Sequence, residues 1–539
     1  MKSRLFIRIA VISSIVLLCA SIGLYSYSKL SAMQGREEFN LYSLVPPDAH
    51  VLFETDDLSG FMADFNELSS SKSGHELHLS RLFSVIRSHF HLLIEEMPHG
   101  LSEQMNKMLV SFHTPDDDRS QVFYCSLGED DPKLMETFIY KYFASPFPSK
   151  LFDYKGEEIR IYPMSDGDFL ACYFTSRFFV VSYQKRLIEK VIDARLSGKS
   201  LFTDSAFKQV YNQKRKDQSS TVYIHMLPIP MGKSTDGIRS FSMLGGWMGF
   251  DLKMNGDAVY LSGASHDVDT CLTFMNALRR QAPVEGFPGD VLPASTFMFS
   301  KRAVSDLQTM LNYTFTHEYA TATYSNYIHQ RDEEMLSFLK DNIGTSVTSC
   351  LFHAPDSIGE VRSVMSIPMV DSAQAERMLR NVLASTPHES DTIMPRSVLF
   401  RTGQQTYTFY AMPQNTLFAR FTGITESSLH TSSCFYHGRL LIAPDVSSLS
   451  DYIHFLDRKQ VLVETPAYEE EMGSLSPTYS FMLKADLSDV FTQPENYVRL
   501  IPAFFFQNQD YFSRFILLTQ FTYTDGEIYP NIILLYKDK

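Results

Sequence analysis

Apolar and polar positions along the chain predict one membrane-length helix followed by a long series of short strands and amphipathic helices. The apolar run extends from Ile9 to about Tyr27, broken only by Ser13, Ser14, Ser21, Gly23 and Ser26. About 20 mostly apolar residues suffice to cross the hydrocarbon core as a helix. Lys2, Arg4 and Arg8 in front of the run favour a cytoplasmic N-terminus, which puts everything after about Lys29 outside. A cleaved signal peptide is the rival reading. Ala20, Ser21 and Gly23 offer small residues for a cut, but Tyr25 and Tyr27 do not suit one. Leu18 stands where a lipoprotein needs a small residue before Cys19.

Beyond the anchor, the pattern of the second half repeats that of the first. Val45-Pro46-Pro47-Asp48-Ala49-His50-Val51-Leu52-Phe53 aligns with Val291-Leu292-Pro293-Ala294-Ser295-Thr296-Phe297-Met298-Phe299, a Pro-marked turn feeding a strand. Ser59, Phe61 and Phe65 then match Ser305, Leu307 and Leu311 at the start of an amphipathic helix. Phe112-His113-Thr114-Pro115-Asp116 matches Phe352-His353-Ala354-Pro355-Asp356 after strand-like runs at Met108 to Ser111 and Val347 to Leu351. Helices follow, one opened by Asp131 and Pro132 and running to about Phe143, the other opened by Asp371 and Ser372 and running to about Ala384.

Paired strands come next around Tyr154-Lys155-Gly156 and Arg401-Thr402-Gly403, then strands at Phe178 to Ser182 and Leu440 to Ala443. Each of the latter leads to a helix, with apolar faces Leu187, Ile188, Val191, Ile192 and Leu449, Tyr452, Ile453, Leu456. Shorter helices start near Ser205 and Pro466. Each half closes on a hairpin, at Asn255-Gly256 and Asp525-Gly526, dipeptides that suit a type I′ turn.

The matches are collinear, so a tandem duplication is the simplest account. The expected fold class is α+β: an N-terminal transmembrane helix, then two tandem homologous units of mostly antiparallel sheet with inserted helices. Boundaries follow as a cytoplasmic tail 1–8, an anchor 9–27, a linker 28–44, a first unit 45–281, a Gly/Pro-rich join 282–290 and a second unit 291–539.

Composition changes this picture little. With 44% hydrophobic and 20% charged residues, the chain has material for large cores. A net charge of -14 without a long basic run argues against nucleic acid as a partner. Lys214-Arg215-Lys216 reads as a solvated loop. Six cysteines at wide, irregular spacings indicate neither a disulfide framework nor a zinc site, and they suit buried small side chains.

The succession of short anchor, Pro-x-x-Ala turn, strand, helix and long sheet-rich module resembles an uncharacterised family of bacterial membrane-anchored extracytoplasmic proteins of unknown function. The residues that carry it are the anchor to Tyr27, Val45 to Phe53, and the strand and helix from Phe178 to Gly198. In the second copy Pro293 is kept, while Ser295 replaces Ala49. The resemblance implies a bacterial envelope location and supplies no catalytic residues.

Candidate chemistry is sparse. The repeated Phe-His-x-Pro-Asp element offers His113 with Asp116 and His353 with Asp356 as twin carboxylate–imidazole sites. The plainer reading is a strand ending in a Pro-Asp turn. Histidines at 75, 78, 89, 91 and 99 lie near Glu76, Glu95 and Glu96, but Pro98 would break the helix that aligns His91, Glu95 and His99. Ser69-Ser70-Ser71-Lys72 reads as a polar loop, and Gly232-Lys233-Ser234, where Leu227 replaces the first glycine of a phosphate loop, reads as a loop between strands. Phe504-Phe505-Phe506 and Tyr511-Phe512 read as core. No cofactor or metal is expected. The expected function is a non-enzymatic binding or assembly module of the envelope, with an envelope protein or ligand as partner. An envelope hydrolase with a site assembled from distant residues is the alternative.

Overall fold

Strand Phe178–Ser182 is buried along its whole length, with Phe179 and Val181 in one apolar cluster and Phe178 and Val180 in another. A strand apolar on both faces needs cover on both faces. That requirement sets the architecture: one antiparallel sheet with helices on each side. The computed structural model describes residues 39–537 apart from 69–106, 115–116, 118, 128–130, 143–146, 166, 215–218, 226–228, 234–238, 243–245, 267–272, 314–325, 356–358, 386–396, 403–404, 423–429, 498–500, 502–504 and 507.

The first half runs β1 (Val51–Thr55), α1 (Leu58–Glu67), β2 (Met108–Phe112), β3 (Gln121–Ser126), α2 (Asp131–Tyr142), β4 (Lys150–Tyr154), β5 (Glu157–Pro163), β6 (Phe169–Phe174), β7 (Phe178–Ser182), α3 (Lys185–Ser197), α4 (Ser205–Asn212), β8 (Ser220–His225), β9 (Trp247–Met254) and β10 (Ala258–His266). The second runs β11 (Thr296–Ala303), α5 (Leu307–Tyr313), β12 (Ser346–His353), β13 (Val361–Pro368), α6 (Ser372–Ser385), β14 (Ser397–Thr402), β15 (Gln405–Ala411), β16 (Ser432–Tyr436), β17 (Arg439–Ala443), α7 (Val446–Asp457), α8 (Tyr468–Met472), β18 (Phe481–Asp486), β19 (Phe515–Thr524) and β20 (Glu527–Tyr536). Further helices, at Phe274–Arg279, Asn326–Asn342, Leu417–Thr422 and Leu487–Val490, are inserted between these.

These twenty strands form one ladder. Its order is β4-β5-β6-β7-β3-β2-β1-β8-β9-β10, then β20-β19-β18-β11-β12-β13-β17-β16-β15-β14. Closing a barrel would need the two end strands to pair with each other. Among the described residues, β4 and β14 each pair on one side alone, so the ladder they form is open. The centre is the β10–β20 pairing, from Ala258 opposite Leu535 to Ser262 opposite Asn531.

Helices α1, α2, α5 and α6 cover one face of this sheet, and α3, α4, α7 and α8 cover the other. The sequence predicts most of the buried faces of α3 and α7: Leu187, Ile188, Val191 and Ile192 are at most 3% exposed, and Leu449, Tyr452 and Ile453 are fully buried, while Leu456 is half-buried. Each such side chain contributes about 1.5–3 kcal/mol on burial, far more than helix propensity does. Asp371 Oδ1 accepts from the Gln374 N–H at 2.9 Å, capping α6 as expected. Cys125, Cys172, Cys350 and Cys434 are buried free thiols, and burial pushes the Cys434 thiol up to about 12. Phe512 and Tyr511 are core.

Several expectations need correction. Asn255-Gly256 does not form a type I′ turn, because neither residue has positive φ. The Asn255 side chain instead accepts from the N–H groups of Asp257 and Ala258, an Asx turn. Asp525 and Gly526, at φ 53° and 88°, do form the expected turn. Gly232 and Lys233 lie in a strand, Ile229–Lys233, that pairs with Arg239–Ser242. Lys214 is not solvated: its Nζ lies 3.1 Å from Glu54 and 3.2 Å from Asp56. Within the join, Val284 and Glu285 pair with Tyr479 and Thr478. Tyr42 and Leu44, placed in the linker by sequence, are buried in the first half's core. Among the described residues no helix is long and apolar enough to cross a membrane. The expected anchor lies outside them.

Candidate functional site

Side chains two apart on a strand share a face, so Ser111 and His113, at the end of β2, point together under α3. The Pro46-Pro47 turn brings Asp48 alongside. His113 Nδ1 lies 3.2 Å from Asp48 Oδ1, and His113 Nε2 lies 2.9 Å from Ser111 Oγ. The line continues to Tyr124 on β3, whose hydroxyl is 3.0 Å from Ser111 Oγ. At the other end Lys190 of α3 donates to Asp48 Oδ2 at 2.5 Å. One assignment uses every donor: Tyr124 O–H to Ser111, Ser111 O–H to His113 Nε2, and His113 Nδ1–H to Asp48.

Electrostatics follow the geometry. The hydrogen bond from His113, helped by Lys190 and opposed by partial burial, holds the Asp48 carboxyl well below the usual carboxylate range. Burial pushes the Tyr124 hydroxyl far up, so it stays a neutral donor. His50, beside them, is held lower by burial. Its ring stacks on His225 at 6.4 Å, and His225 stacks on Trp247 at 4.8 Å.

Asp48, His113 and Ser111 thus stand in the order of an acyl-transfer triad. A nucleophile must also meet substrate. Ser111 and Tyr124 are 0% exposed and His113 is 6% exposed. Two surface depressions, of about 140 and about 10 Å³, border none of these residues. The larger, lined by Lys133, Glu136, Glu158, Arg160 and Phe174, is well short of the ~300 Å³ usual for a ligand pocket. What the line does chemically is fix the Pro46–Asp48 turn and α3 against β2.

His353 occupies a different position. Its Nε2 lies 3.1 Å from Asp489 Oδ1, and its ring stacks on Phe297 at 5.0 Å, with 35% of the side chain exposed. The backbone explains the difference. His113 N–H donates to Ser120 O at the point where Ala354 N–H, not that of His353, donates to Glu360 O. The Phe-His match is therefore one residue out of register. A one-residue slip turns a strand side chain to the opposite face, so His113 faces α3 whereas His353 faces the Leu487–Val490 helix. The two imidazoles therefore do not occupy equivalent positions. Asp116 and Asp356, the carboxylates of the twin-site reading, lie outside the described residues; among the described residues the imidazoles meet Asp48 and Asp489.

Residues 69–72 and the histidines from 75 to 99 also lie outside the described residues. Among the described residues, no group of three or more His, Cys, Asp and Glu is placed to hold a metal ion.

A second candidate is the junction of the two halves. Ser262 on β10 is exposed and donates to Asn531 Oδ1 on β20 at 2.7 Å. Tyr529, two residues earlier on the same face, is 41% exposed. Sequence alone does not single these out, because a strand's neighbour across a 269-residue separation leaves no local mark. A scan against protein-family models, a search of curated proteins and a search of solved structures each found no match.

Proposed function

We propose that this chain is a membrane-anchored protein of the bacterial cell envelope that works as a non-enzymatic binding or assembly module. In this reading the run from Ile9 to Tyr27 is the anchor, and two tandem homologous α+β units stand outside the cytoplasm, as in the family the sequence resembles. Duplication is supported by the order of pairing: adding ten to each strand number of the first half reproduces the order of the second. The non-enzymatic part rests on one observation. Ser111, the nucleophile that Asp48 and His113 would activate, is sealed in the core. The partner surface in this reading is the β10–β20 junction, around Ser262 and Tyr529.

Location is tested by protease accessibility in intact and permeabilised cells, with tags at each terminus. Loss of the C-terminal tag once the outer membrane alone is opened, with the N-terminal tag protected, is the expected result. A C-terminal tag protected until the inner membrane is broken contradicts it.

A hydrolase is the second reading, because three groups do lie in triad order. It requires the core around Ser111 to open. Labelling by a fluorophosphonate probe that disappears in Ser111→Ala would establish it, and the expected result is no labelling.

A further inference from the structure

Among the described residues the ladder has two edges without a neighbouring strand, and they are not protected alike. On β4, Lys150 and Asp153 flank Leu151 and Phe152, the kind of charge that guards natural edges. On β14, Val398, Leu399 and Phe400 run consecutively with Arg401 the one charge, and its pairing with β15 has no bulge. Leu399 is 73% and Val398 43% exposed, while Phe400 stacks on Phe409 at 5.0 Å. Among the described residues nothing pairs with the outer side of β14.

The hairpin fixes which backbone groups are free. Two residues join Thr402 to Gln405, which makes those two a hydrogen-bonded pair. Alternation then turns the N–H and C=O of Phe400 and Val398 toward β15. Those of Ser397, Leu399 and Arg401 point outward.

We infer that β14 is a self-association edge, pairing antiparallel with β14 of a second copy about a two-fold axis perpendicular to the sheet. Such an axis sets residues of the same face opposite one another. Centred on Leu399, it makes Leu399 its own hydrogen-bonded partner, sets Val398 against Phe400, and sets Arg401 against Ser397. Apolar meets apolar and no like charges face each other. Centring on Phe400 would instead set Leu399 against Arg401. A second copy fits because this segment is complementary to itself, and because the chain already joins β10 to β20 by the same edge-to-edge antiparallel pairing. The inference does not depend on the anchor or on the junction as a partner surface.

The test is sedimentation equilibrium of the full chain in density-matched detergent, with oxidative cross-linking of cysteine variants. Wild type is expected to dimerise, and Leu399→Lys to raise the dimer dissociation constant at least about tenfold while keeping the wild-type thermal midpoint at concentrations where both chains are monomeric, since the side chain is exposed. Leu399→Cys should give a disulfide-linked dimer above the wild-type background, and Leu151→Cys should not. A wild-type monomer throughout the concentration range overturns the inference. So does Leu399→Lys sedimenting as wild type. Coupling of the Leu399→Cys variant in intact cells to a different polypeptide, with no homodimer, assigns the edge to a foreign strand and overturns it as well.

Discussion

Ser111 is the residue on which the first half's buried line turns, since it stands between His113 and Tyr124. Removing its hydroxyl leaves two buried polar groups without that partner. Ser111→Ala should therefore destabilise the protein by about 1–3 kcal/mol, read as a shift of the urea midpoint with the slope unchanged. Asp48 makes a separate, pH-dependent contribution. Its carboxyl is depressed in the folded state, so the stability it supplies is present above the ordinary aspartate range. That stability is lost as the pH falls through that range and below it. Asp48→Asn should lower stability at neutral pH and flatten the acid limb of the stability profile; an acid limb unchanged from wild type would contradict this. The sequence singles out His113 but not Ser111, although their spacing puts the two positions on one strand face. Asp48 is not legible even in that way, because it lies 65 residues away from His113. The Phe-His repeat misleads for a related reason: identity of letters does not reveal a one-residue slip in the strand that carries them.

Hairpins show the same limit among the elements. Asn255-Gly256 and Asp525-Gly526 look equivalent as dipeptides, yet backbone φ is positive only in the second. Gly526→Ala should cost about 1–2 kcal/mol, because a side chain is strained at φ 88°. Gly256→Ala meets no atom within 4 Å at ordinary φ, and it should be neutral or stabilising by up to about 1 kcal/mol. Thermal midpoints of the two variants decide the matter, and equal losses would contradict the turn assignment. Among the helices, α3 and α7 are the most legible, because their apolar faces recur at helical spacing within a dozen residues; the helices Phe274–Arg279, Asn326–Asn342 and Leu417–Thr422 are not predicted from the sequence. Strand pairings such as β3 with β7, or β13 with β17, skip over intervening elements and leave no such periodic trace.

Over the whole molecule, the β10–β20 pairing makes one sheet of two halves. Met248 and Phe250 of β9 pack in the same cluster as Phe297, Met298 and Leu483 of the second half. Deleting residues 291–539 would uncover both that apolar surface and the edge of β10. The truncated chain is expected to aggregate or to lose cooperative unfolding, and calorimetry of the full chain should show a single transition spanning both halves. Two resolved transitions would mean that the halves fold independently. The α+β class and its antiparallel sheet are legible from alternating strands and hairpin dipeptides. The fusion of the halves through their last strands is not, because the sequence does not distinguish two adjacent sheets from one.

Because truncation is expected to compromise the fold, the binding reading is best tested by a surface change at the junction. Cross-linking in intact cells, followed by purification through a C-terminal tag, compares wild type with Tyr529→Glu. A reproducible envelope partner that is captured by wild type and lost in the variant, with both chains equally abundant, is the predicted result. Recovery of the wild-type chain without a partner, or a partner retained in full by Tyr529→Glu, would contradict it.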